Sequence, residues 1–284
     1  MTHSTKPYWI AAIVVALVVA IGAGIGGLHW PSAGEARPGT PSPTAQACDE
    51  PGEDGCGQIA CAPAPRKTVT IADAKLIIEY NSTDDDIGVH GAFDDHGWSE
   101  LCVYAPDGTQ VLAVKPQAQL KDLTMAGIFF ESREPPGKEF SFEDLKARFP
   151  EGLYEVRGIT FEGKGLTGAA TFTHDVPAPP TVISPVDGAV IPIAGLVFSW
   201  GDVTETVDGD PVTITGYEII VGKLDAEDPH GFSTPVYDVH VSAELNSLSL
   251  PAEFLEPGTE YEFEVLALEE SGNQTITSGF FVTE

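Results

Sequence analysis

The chain has 284 residues, enough for two domains of ordinary size with linker to spare. It carries 43 Asp and Glu against 14 Lys and Arg, a formal net charge of -29, and such a surface repels nucleic acid and anionic lipid heads. Most of these acids read as solvent-facing groups of a protein kept soluble in salty surroundings, with no specific partner.

From Tyr8 to Leu28 the chain is apolar or small without one charge, long enough to cross a bilayer as a helix, and Tyr8, Trp9 and Trp30 flank it as interfacial aromatics. Residues 1–30 are therefore predicted to be a signal anchor and transmembrane helix spanning 8–30. The alternative is a secretory signal cut after Ala36 or Ala47, both distant from the apolar core. Lys6 before the span and the acidic remainder after it keep the amino terminus cytoplasmic and the rest extracytoplasmic; a cleaved signal makes the protein secreted. Gly22 and Gly26 form a small-xxx-small pair that allows two such helices to meet as a dimer, although glycine is common in membrane helices.

Residues 31–67 are rich in Pro, Gly, Ala and Thr with no apolar period and read as an extended stalk. The stalk holds Cys48, Cys56 and Cys61, and Cys102 follows in the first folded region. An even count of four cysteines in an exported chain predicts disulfides, with no Cys-x-x-Cys pair to favour zinc. Proximity favours a local loop among the stalk cysteines, leaving one to reach Cys102; spacing does not choose which.

Residues 68–176 are predicted to form a β-sandwich. Strands are expected at Leu76–Tyr80, Leu101–Tyr104, Val111–Val114 and Ile128–Phe130, with a turn at Pro106-Asp107-Gly108. Ser141 with Asp144 three residues on, then Leu145 and Phe149, predicts a short capped helix. Phe149-Pro150-Glu151-Gly152-Leu153-Tyr154 is a corner followed by a tyrosine strand, and a hairpin at Glu162–Gly165 leads into a last strand, Leu166–Thr173. Pro177-Ala178-Pro179-Pro180 is a short, stiff joint, which predicts two modules end to end as a rod.

Residues 177–284 repeat the corner grammar more clearly. After Leu255-Glu256-Pro257-Gly258, residues Tyr261, Phe263 and Val265 alternate with Glu260, Glu262 and Glu264, one face apolar and the other acidic. Trp200 in Leu196–Trp200 supplies a core indole, and Tyr217 lies on the next strand, Ile214–Ile219. With Tyr261 as a tyrosine corner, this segment resembles a fibronectin type III domain, and the whole resembles exported bacterial proteins that end in one. The resemblance implies an all-β fold of two tandem immunoglobulin-like β-sandwiches, the second fibronectin type III-like, with Trp200, Tyr217 and Tyr261 in its core. Integrin-binding members of that family carry Arg-Gly-Asp before the last strand; Glu269–Gln274 stands there instead, so that mode of binding does not carry over.

Chemistry is thinly signalled. Asp84, Asp85 and Asp86, with Asp94 and Asp95, are crowded carboxylates of the kind that hold calcium, though without EF-hand spacing, and a solvated acidic loop is the plainer reading. Asp202, Asp208 and Asp210 form a weaker cluster, and His90 and His96 are scattered near the first. No serine elbow, no His-Glu-x-x-His, no phosphate loop and no selected carboxylate pair is present, which predicts no catalytic residues and no cofactor beyond such a calcium ion. Asn81-Ser82-Thr83 and Asn273-Gln274-Thr275 fit the glycosylation pattern by chance. The expected function is a non-catalytic, membrane-anchored binding or scaffold protein that meets an envelope protein or glycan. An accessory or degenerate glycan-acting hydrolase and a calcium-binding module are the alternatives.

Overall fold

In a computed structural model, residues 61–63, 65–224 and 236–284 are described. The expected membrane span, its Gly22 and Gly26, most of the stalk, and Cys48 and Cys56 lie outside the described residues. Among the described residues no helix is long and apolar enough to cross a membrane.

The first sandwich begins with β1 (Thr68–Thr70), β2 (Asp73–Asn81) and β3 (Asp86–Tyr104), and β3 organises it. The first half of this 19-residue strand pairs with β2 and with β5 (Met125–Glu131); the second half pairs with β4 (Gln110–Val114) and with β6 (Gly152–Thr160). One strand thus serves both layers. It turns where the register shifts between Asp94 and Trp98, at Gly97, whose φ of 149° L side chains rarely adopt. Next to β6 runs β7 (Gly165–Phe172), which β1 joins in parallel.

Two short helices complete this half. The helix α1 (Ala118–Leu123) has no side-chain cap and buries no residue, which explains why the sequence does not announce it. The other, α2 (Phe142–Arg148), has the predicted capping box: Asp144 N–H donates to Ser141 Oγ at 3.2 Å, and Ser141 N–H donates to the Asp144 carboxylate at 2.9 Å. It drops Leu145 into a core of Phe93, Trp98, Leu101, Tyr154 and Phe172. Tyr154 is a true corner, its hydroxyl donating to the Pro150 carbonyl at 3.1 Å. Burial, with the charge of Asp107, pushes its phenol to about 12, so the donor stays protonated.

The second sandwich sets a three-stranded sheet, β8 (Val182–Ser184), β10 (Val197–Trp200) and β13 (Ser247–Ser249), against a larger one. The larger sheet contains β11 (Ile214–Lys223), β12 (Val236–Ser242), β14 (Glu260–Glu269) and β15 (Gln274–Thr283), with the short β9 (Ala189–Ile191) parallel to the end of β15. Alternation places Trp200, Tyr217 and Tyr261 between the layers, each 1% exposed. Trp200 packs on Tyr217 with ring centres 5.4 Å apart, and Tyr261 stacks on Phe281 at 5.3 Å. The Tyr261 hydroxyl accepts from Glu256 N–H at 2.8 Å, closing the corner, and the Tyr217 hydroxyl accepts from Val203 N–H at 2.9 Å. This three-against-four strand order is that of a fibronectin type III sandwich.

The two sandwiches are not a rod. Strand β15 pairs in parallel with β2, Gln274–Ile276 against Glu79–Asn81, so their large sheets run together as one. A stiff Pro-rich joint limits the linker, but it does not forbid a side-by-side return once two open edges match. Cys61 is the stalk cysteine that reaches Cys102, across 41 residues of chain, and beside it Ala62 N–H donates to the buried Glu100.

Candidate functional site

The seam between the sandwiches is built from buried polar groups. Asn273 is 1% exposed: its Oδ1 accepts from Ile78 N–H at 2.8 Å, and its Nδ2 donates to Thr173 Oγ1 at 2.9 Å and to the Thr173 carbonyl at 3.2 Å. An amide so buried and paired leaves no room for a glycan in the folded state. Ser271 adds a hydroxyl contact to Thr173 at 2.7 Å, and Gly272 sits where a Cβ would meet Ile77 at 3.0 Å. The β14–β15 loop, the place of the integrin motif in the resembled family, is thereby docked on the first sandwich. Farther along, Ser82 donates to the Ile276 carbonyl at 2.6 Å, and Thr275 donates to the Pro177 carbonyl at 2.6 Å.

Glu79 on β2 and His90 on β3 lie on the outer face of the joined sheet, beside Gln274 of β15. His90 Nε2 is 3.0 Å from Glu134 and 3.8 Å from Glu79, whose carboxylate also receives the Gln274 amide. Burial works against the imidazolium. The hydrogen bond to Glu134 and the charges of Glu79, Glu134 and Glu131 outweigh it and hold His90 above its ordinary range. Burial likewise raises Glu79, tempered by His90 and Gln274. Glu79, His90 and Glu134 have donor atoms close enough to share a metal, but their facing atoms already satisfy one another. They act as a buried ion-pair clamp on β2, the strand that joins the sandwiches.

Beside the seam opens a cleft of about 720 Å³. Its floor is apolar, from Ile87, Phe140, Phe142, Val176 and Val207, and its rim is acidic, from Asp85, Asp86, Glu143, Glu205 and Asp208. Lys146 of α2 spans the rim, 2.6 Å from Asp208 and 3.0 Å from Glu143. Asp86 is the distinctive group here. Burial first, then the charges of Glu134, Asp84, Asp85 and Glu131, push it up to about 6, and its Oδ1 has no hydrogen-bond partner.

The five aspartates expected to hold calcium do not converge. Asp86 pairs opposite Asn81 at one end of the β2–β3 hairpin and Asp94 opposite Asp73 at the other, eight residues or about 26 Å along the strand. Asp84 accepts from the Asn81 side-chain amide at 3.1 Å in a turn that Asn81 Oδ1 caps, while Asp95 accepts from Ala72 N–H at 3.0 Å. What the sequence presents as one acidic stretch is two ends of a hairpin. Asp202, Asp208 and Asp210 are exposed, and Asp208 is held by Lys146; His96 is exposed, whereas His90 is buried. Sequence reasoning missed Glu79 and Glu134, because a lone Glu inside a strand and one before Pro135 carry no local sign of joint burial.

The described chain is thus a pair of immunoglobulin-like sandwiches, the second of fibronectin type III order, fused through one sheet. Among solved structures, similar ones include the first to third fibronectin type III domains of chicken CNTN1 (16% identity, 78% of this chain and 69% of that chain covered, TM-score 0.32). A two-domain fibronectin type III segment of chicken tenascin also matches (10% identity, 75% and 96% covered, TM-score 0.27), as does the third such domain of human KIAA0343 protein (18%, 38% and 82%, TM-score 0.29). No protein family and no curated protein sequence matches the chain.

Proposed function

We propose that this chain is a non-catalytic binding or scaffold protein, held on the extracytoplasmic side of a bacterial membrane through residues 8–30, whose fused sandwiches meet an envelope protein or glycan at the cleft. The cleft carries the reading: an apolar floor with a few polar groups at its rim is the usual form of a ligand site, and the polar seam beside it fixes its two walls. The Cys61–Cys102 disulfide supports an oxidising, exported location. A sandwich is a common scaffold for binding, its contacts made by loops on rigid sheets.

The test is site-specific photo-crosslinking of the full chain in intact cells of its host. A crosslinker at Phe140 or Glu205 is expected to trap one discrete envelope component, and the same group at exposed Leu153, away from the cleft, to trap none. Equal labelling from both positions overturns the cleft as the contact surface. The second reading, an accessory glycan-acting hydrolase, is favoured by the raised carboxyl of Asp86, which suits a proton donor near neutral pH. Glycan turnover by purified protein that disappears in Asp86→Asn would replace the binding reading with that one.

A further inference from the structure

On the outer face of the second sandwich, at the end of the joined sheet away from the cleft, three metal-ligating side chains meet on adjacent strands. Glu218 of β11 pairs directly opposite His240 of β12, and Asp238 lies two residues before His240 on the same face. One donor atom from each falls within 4.8 Å of the others. Glu218 is 2% exposed and sits beside Leu266 and Ile220, while Asp238 and His240 are open to solvent. The arrangement therefore has a buried anchor and an open side.

Glu218 is the observation that calls for a ligand. A hydrogen bond with Asp238 accounts for part of its carboxyl group. That contact leaves Oε1 with no hydrogen-bond partner, although His240 Nε2 lies only 3.1 Å from it. The two atoms form an ion pair when His240 is protonated, and with a neutral imidazole their separation matches the edge of a tetrahedral site, about 3.3 Å for metal–ligand distances of about 2.0–2.1 Å.

We propose that Glu218, Asp238 and His240 bind one divalent transition-metal ion of the zinc type, with a fourth position open to water. One imidazole nitrogen with two carboxylate oxygens suits such an ion, whereas calcium and magnesium prefer all-oxygen shells. The site stands apart from the cleft and is independent of the binding reading above.

The test uses the full chain in detergent, stripped by chelator and titrated with Zn²⁺ alone, with Co²⁺ absorbance reporting coordination geometry. Wild type is expected to take up one equivalent that His240→Ala and Asp238→Asn weaken by at least about tenfold, since loss of even an outer partner of a ligand costs that much. Both residues are exposed, so metal-free variants are expected to stay folded with a cooperative melt; Glu218→Gln adds the buried ligand. Glu79, His90 and Glu134 form the rival group, and His90→Gln is expected to leave this equivalent in place. The proposal is overturned by zinc affinity unchanged in His240→Ala, by loss of the ion only in His90→Gln, or by Ca²⁺ and Mg²⁺ binding as tightly as Zn²⁺.

Discussion

Tyr261 and Tyr154 stand at equivalent corners with opposite hydrogen-bond roles. Tyr261 accepts from the Glu256 amide, whereas Tyr154 donates to the Pro150 carbonyl. Removing the acceptor leaves a part-buried N–H without its partner; removing the donor leaves a carbonyl with a spare lone pair. Tyr261→Phe is therefore expected to cost about 1–3 kcal/mol, and Tyr154→Phe about 1 kcal/mol or less, read as shifts of the urea midpoint at constant slope. Trp200→Ala empties the space between the layers and is expected to cost about 3–5 kcal/mol in the same assay. These positions were legible in the sequence because a corner, an alternating strand and a large aromatic are local signals. Glu218 and His240 were not: each occupies the outward phase of an ordinary strand, and only pairing two strands shows that they meet.

At the scale of elements, the seam depends on one side chain more than on any strand pair. Asn273 satisfies the Ile78 amide and two acceptors of Thr173, all beyond its own hairpin. Asn273→Ala leaves the buried Ile78 amide unpaired, while the Thr173 hydroxyl keeps Ser271, and is expected to cost about 1–3 kcal/mol. Calorimetry supplies the finer readout: one cooperative transition in wild type, two partly resolved transitions in the variant, because the sandwiches have separate hydrophobic cores. Reduction of Cys61–Cys102 releases a loop spanning 41 residues and is expected to lower stability by up to about 4 kcal/mol, seen as a fall in melting temperature with reductant. The capped helix α2 was readable from Ser141 and Asp144 alone. The 19-residue strand β3 was not, since Asp94-Asp95-His96-Gly97 at its bend has the composition of a loop.

Across the whole molecule, the acids decide how stability varies with pH. Burial is the leading cause that raises Glu79, Glu131, Glu262, Glu264 (to about 8), Glu218 (to about 9) and Asp86 (to about 6). Glu264 faces Glu262, Glu79, Asp84 and Asp238, with no cation among its causes. The folded state then holds more protons than the unfolded chain from about pH 4 to 9, so stability falls as pH rises through that window. His90, held above its ordinary range, acts in the same sense: its contribution is complete in acid and is lost as the imidazolium deprotonates. Hydrogen bonds that lower Asp107, Asp144 and Glu155 oppose this only in stronger acid. The melting temperature, taken with chelator at fixed ionic strength, is expected to be several degrees higher at pH 5 than at pH 8.5. Glu264→Gln is expected to flatten that slope. The acidic balance was visible in composition, but the buried share of it required the sheet.

The parallel pairing of β2 with β15 also fixes an order of events during synthesis. Glu79 and Gln274 are 195 residues apart, so every strand between them leaves the ribosome before the last one arrives. Until then, β2 waits with an unpaired backbone edge, and the first sandwich is a nascent body inviting any passing strand to complete it. The C-terminal strand is the stopper for that edge. A chain released before Gln274 is expected to clump through β2 although its first hydrophobic core is whole, and supplying a peptide of Gln274–Thr283 during refolding is expected to keep it dispersed.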